Sequence, residues 1–110
     1  MNYAKYIGKS YAPPHGCLLL VADILRDEYN LPIPNDVSER VFETMRSNLI
    51  PVDDPHEGDV VLMKGNSWHV GLIIQPGTMI HVSRPSSNVV VERYDSLQWR
   101  ARVRGFYRWQ

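Results

Sequence analysis

Cys17 is the only cysteine in this 110-residue chain. It stands where a turn rich in proline and glycine, Tyr11-Ala-Pro-Pro-His-Gly-Cys17, gives way to an apolar helical run from Leu18 to Leu25. A thiol in the first turn of a helix meets the positive end of the backbone dipole and N–H groups without intrahelical partners. Both favour the thiolate, the form that acts as a nucleophile. Two histidines follow in strand-like surroundings, His69 in Trp68-His-Val-Gly-Leu72 and His81 in Met79-Ile-His-Val82. A cysteine, an imidazole to take its proton and a polar third group to orient that imidazole are the minimum for acyl transfer through a thioester. A second arrangement fits the same residue types: a cysteine packed as a small hydrophobe, and histidines that hydrogen-bond within a sheet. Residue types and spacing alone leave both readings open.

Strand alternation puts His69 on the same face as Gly71 and opposite Val70, and turns His81 away from Ile80 and Val82. If the two strands are antiparallel neighbours joined around Pro76-Gly77, both imidazoles can point at the helix that carries Cys17. Gly71, with no side chain, leaves room beside the base for helix or substrate.

The elements that must hold these groups fall into two halves. Leu18, Val21, Ala22 and Leu25 have helical spacing within residues 17–29, and Pro32 and Pro34 end that element. Asn35 or Asp36 can cap a second helix with Val37, Val41, Phe42 and Met45 on one face, running to about Leu49 and stopping near Pro51. The second half predicts strands over 59–63, 68–74, 79–82, 88–94 and 102–108, with a helical turn over 95–100. Short strands joined by tight turns imply an antiparallel sheet with the helices on one side. The expected class is α+β, in a single domain over residues 1–110.

Composition excludes several functions. No apolar run approaches the roughly 20 residues that span a bilayer, so no membrane helix is expected. The formal net charge is zero, which gives no pull toward nucleic acid. Residues 84–110 carry six arginines against Glu92 and Asp95, and this run reads as a solvated strand face. His15, Cys17, His56, His69 and His81 are ligand types, yet beyond His15-Gly-Cys17 they lack close pairing, so no metal or other cofactor is expected. His15 and His56 lie in proline-containing loops and read as surface residues. Trp68, Trp99 and Trp109 read as core packing or sheet-edge cover before groove lining. Ser10, Ser83 and Ser86 lack the strand–turn–helix context of a serine nucleophile.

Five segments, in order, resemble the NlpC-type cell-wall cysteine peptidases: Tyr6-Ile-Gly-Lys-Ser-Tyr11, Gly16-Cys-Leu-Leu-Leu-Val-Ala22, Glu57-Gly-Asp-Val-Val-Leu62, Trp68-His-Val-Gly-Leu-Ile-Ile74 and Ile80-His-Val-Ser83. The resemblance implies a compact papain-like fold, with the nucleophile at a helix N-terminus against an antiparallel sheet. Carried onto this chain, it implies Cys17 as nucleophile, His69 as general base and His81 as the group that orients it. Tyr11 matches a tyrosine whose phenol, with the Cys17 backbone N–H, would stabilise an oxyanion. The implied reaction is hydrolysis of amide bonds in peptidoglycan stem peptides. Because stem peptides are acidic, Arg84, directly after the His81 strand, is the candidate for binding a substrate carboxylate. The ending, Val89-Val-Val-Glu-Arg-Tyr94 with Trp99 and Arg104-Gly-Phe-Tyr-Arg108, resembles the branch found among phage tail proteins. That branch implies other tail proteins as partners and carriage to the host wall in a virion tail, consistent with an N-terminal segment that lacks a basic stretch followed by an apolar one.

Three positions depart from the family pattern. Gly16 replaces the usual aspartate, Leu18 follows the cysteine, and the stretch from Tyr11 to Cys17 is short. Two rival functions therefore stand beside the peptidase: a non-catalytic structural or interaction module of a tail tip on the same fold, and a related thiol amidase or acyltransferase.

Overall fold

The structure is a computed structural model that describes residues 2–110. Its elements run α1 (Gly16–Tyr29), α2 (Ser38–Asn48), β1 (Leu49–Val52), β2 (Val60–Lys64), β3 (Trp68–Gln75), β4 (Thr78–Val82), β5 (Val89–Arg93) and β6 (Val103–Trp109). Short 3₁₀ turns occupy Ala4–Tyr6 and Arg100–Arg102. The six strands form one antiparallel sheet in the order β1-β6-β2-β3-β4-β5. Two helices and an antiparallel sheet make the α+β arrangement expected from the sequence.

The two faces of the sheet carry separate apolar layers. On one, Leu20, Val21, Ile24 and Leu25 of α1 pack with Leu72 and Ile74 of β3 and Ile80 and Val82 of β4. The fully buried members of this layer each contribute roughly 2 kcal/mol by leaving water. On the other face, Val61, Met63, Ile73 and Met79 are covered by Trp99, carried on the segment between β5 and β6. The sheet is thus enclosed on both sides, by helices and by this connection.

Two local features depart from the sequence reading. Helix α2 stops at Asn48, and Leu49–Val52 pairs with β6 instead of continuing it. Pro51 is tolerated there because β1 is an edge strand, with no second neighbour needing its missing N–H. The N-cap of α2 is Val37, not Asn35 or Asp36; the Asp36 carboxylate instead accepts the Val37 N–H at 2.8 Å. Strand β6 lies between β1 and β2, which leaves β1 and β5 as the edges of an open sheet. The place of β6 beside β2 is fixed by Arg108, whose guanidinium forks onto buried Asp59 at 2.9 and 2.8 Å, while the same carboxylate accepts the His56 N–H at 2.7 Å.

Candidate active site

Cys17 is the second residue of α1, and no side chain caps that helix's N-terminus. Its first-turn N–H groups are free to meet a negative charge. Gly16 is buried at the helix start, and a Cβ there would lie 2.6 Å from the Tyr11 carbonyl oxygen. Only glycine lets the Tyr11–His15 turn pack this closely on α1. The turn is held from its other side by residues that precede and begin β5: Tyr11 N–H donates to the Ser87 carbonyl at 2.9 Å, and Gly8 N–H to Val89 at 3.0 Å. These bonds bring the head of α1 beside the β4–β5 turn. A cavity of about 550 Å³ opens between them, bordered by Tyr11 and Cys17, by Ser67, Trp68 and His69 at the start of β3, and by Ser83 and Arg84 after β4.

His69 and His81 do sit on neighbouring antiparallel strands, but their rings leave the sheet on the face away from α1. Leu72, Ile74, Ile80 and Val82 occupy the α1 face, so the alternating positions His69, Gly71, Met79 and His81 turn the other way. The space over Gly71 is used by Met79 and His81, whose atoms lie 3.0 and 3.3 Å from a Cβ placed there. His69 reaches the Cys17 cavity because it is the second residue of β3, at the rim where the sheet ends.

The two rings form one buried polar chain, 4% and 1% exposed. His69 Nε2 lies 2.8 Å from His81 Nδ1, and His81 Nε2 lies 2.9 Å from Glu92 Oε1. A carboxylate only accepts, so His81 carries its hydrogen on Nε2 and presents a lone pair at Nδ1. His69 must then donate from Nε2, which leaves its own basic lone pair at Nδ1. Trp99 clamps the assembly: its indole lies nearly parallel to the His69 ring (17°, centroids 5.7 Å apart) and edge-on to His81, and its N–H donates to Glu92 Oε2 at 3.3 Å. Burial holds both imidazoles below their usual pKa; for His69 the neighbouring His81 and Arg84 add to this, while Glu92 partly offsets it for His81. The resting pair is neutral.

Arg84 meets the free end of this chain. Its Nε–H donates to His69 Nδ1 at 3.3 Å, one terminal nitrogen donates to Ser67 Oγ at 2.6 Å, and the other to the Trp68 carbonyl. Tyr11 borders the cavity, but its hydroxyl donates to Asp23 Oδ2 at 2.7 Å, so its one hydrogen goes to α1 and not to an oxyanion beside Cys17. Burial, with Asp23 beside it, raises the Tyr11 pKa further. His15 is an exposed rim residue, edge-on to Phe42 at 4.8 Å, and His56 is exposed beside Asp54. Trp68 is exposed at the cavity mouth with Lys64 over its ring, and Trp99 is the buried cover of the histidines. Glu92 and Trp99 were not singled out as site residues from the sequence. Strand alternation alone could have put Glu92 on the face opposite Val91, but only the pairing of β4 with β5 brings it to His81.

The NlpC/P60 family matches residues 5–108, nearly the whole chain, and the protein belongs to it. Its members are in general peptidases that act on peptidoglycan. No curated protein matches the chain.

Proposed function

We propose that the protein is a thiol hydrolase that cleaves amide bonds in peptidoglycan stem peptides, with Cys17 as nucleophile, His69 as general base and His81 as the residue that orients it. The observation that carries this reading is the shared cavity. Cys17 borders it from an uncapped helix N-terminus, and His69 borders it from the end of a polar chain that leaves its lone pair at Nδ1. The thiol proton passes to His69 Nδ1 as sulfur attacks the amide carbonyl, and the oxyanion faces the first-turn N–H groups of α1. Collapse returns that proton to the leaving amine and leaves a thioester on Cys17. Water, deprotonated by the same nitrogen, then releases the acid and restores the thiol. Tyr11 shapes the cavity wall in this scheme, and Arg84 binds a carboxylate of the stem peptide. The packing of α1 against an antiparallel sheet, with Cys17 at the helix start, supports a papain-like reading of this fold.

The ending from Val89 to Arg108, with its resemblance to phage tail proteins, supports action from a virion tail at the host wall. Digestion of purified peptidoglycan tests the reading. Wild type is expected to release muropeptides whose masses report a cut within the stem, and Cys17→Ala to release none. Equal release by both rejects the assignment.

A further inference from the structure

Arg84 occupies the one atom the reaction needs. A neutral imidazole nitrogen of the pyridine type has a single lone pair in the ring plane, so His69 Nδ1 cannot accept from Arg84 Nε–H and from a thiol together. With the guanidinium in this position, the base is engaged. All three of its acceptors are uncharged: the His69 ring, the Ser67 hydroxyl and the Trp68 carbonyl. A carboxylate offers the same donors charge-assisted, bidentate bonds that are roughly twice as strong. Arg84 is also exposed and sits on the turn between β4 and β5, not within a strand, so its side chain has somewhere to go. Among the described residues, the cavity lining contains Arg84 as its one arginine or lysine and includes no aspartate or glutamate, so an anion entering it meets attraction without a competing negative wall.

We propose that Arg84 makes the enzyme selective for amides that carry a carboxylate near the scissile bond, by latching the base until that carboxylate arrives. In the free enzyme the guanidinium holds His69 Nδ1. A substrate carboxylate takes over its N–H groups, draws it toward the cavity, and frees the lone pair to receive the Cys17 proton. Substrates with an amide or nothing at that place bind without releasing the base. This inference rests on His69 being the base, and the test separates the two.

Alkylation of Cys17 in the intact protein reads the latch without any peptidase substrate. The probes are iodoacetate, an anion, and iodoacetamide, its neutral counterpart, each rate being divided by that of free cysteine. Wild type is expected to prefer iodoacetate by about fivefold, the scale of one hydrogen bond. Arg84→Ala should raise the iodoacetamide rate by about fivefold and abolish that preference. Arg84→Lys, which keeps the charge but not the Nε–H, should show the faster iodoacetamide reaction and keep only the part of the preference that comes from charge attraction. Since Arg84 is exposed, both variants should match wild type in thermal unfolding. An iodoacetamide rate that is the same in wild type and Arg84→Ala, while His69→Ala slows it, overturns the latch alone. Rates that ignore His69→Ala as well overturn the latch and the base assignment together.

Discussion

Glu92→Gln tests the polar chain behind His69 at its far end. The carboxylate accepts two hydrogens, one from His81 Nε2 at 2.9 Å and one from the Trp99 indole at 3.3 Å. Glutamine offers one oxygen and one NH₂, so it cannot satisfy both donors. With the oxygen on His81, the NH₂ opposes the Trp99 N–H, and Trp99 is buried and cannot withdraw. With the oxygen on Trp99, the NH₂ donates to His81 Nε2 and both imidazoles must exchange tautomers. The hydrogen then appears on His69 Nδ1, where it conflicts only with Arg84, an exposed side chain that can swing away. The second arrangement is therefore favoured by the cost of one opposed donor pair, about 1–3 kcal/mol. A base that holds its hydrogen in the wrong place loses rate in that proportion, roughly 5- to 150-fold in kcat. Nitrogen-15 NMR of the histidine rings reads the tautomers directly, and hydrolysis of a synthetic stem peptide reads kcat. A variant with His69 still protonated at Nε2 and kcat within about twofold of wild type, well inside that range, refutes the chain as described.

The buried histidine pair also makes stability depend on pH. Both rings have pKa values lowered from 6.5 by burial, so the unfolded chain binds their protons first as pH falls. Stability from this source is complete above about pH 6.5 and is lost below it, with a slope approaching about 2.7 kcal/mol per pH unit when both sites respond. Urea unfolding between pH 7 and 5 checks this; His81→Asn should roughly halve the slope, and an unchanged slope contradicts it. At Gly16, any Cβ meets the Tyr11 backbone at 2.6 Å. Gly16→Ala is expected to destabilise by about 1–3 kcal/mol and to lower kcat by displacing the turn beside Cys17. Denaturant midpoints and kcat together check it.

The sequence made the helices, most strands and the Cys17 junction legible, because helical spacing, proline stops and alternation are local signals. It misjudged Leu49–Val52, where pairing with β6 across the sheet overrides the end of a helical pattern. The two histidines were found by their strand context, and their adjacency followed from the turn at Pro76-Gly77. Their direction was not legible. Alternation fixes which residues share a face but not which face α1 covers, and here four aliphatic side chains claimed that side. Glu92 and Trp99 escaped notice for a related reason: one sits two strands from His69 and the other on an irregular connection, so only tertiary pairing joins them to the site. Tyr11 entered only through the family resemblance, as an oxyanion donor; its hydroxyl bond to Asp23 depends on how the turn docks against α1, which no local signal shows.

A rapid acid quench during turnover of a carboxylate-bearing stem peptide, followed by intact mass and peptide mapping, tests the central chemistry most directly. The account predicts an acyl adduct on the peptide that contains Cys17, absent in Cys17→Ala and strongly reduced in His69→Ala. Continued turnover by Cys17→Ala, or an adduct mapped to any other residue, contradicts it.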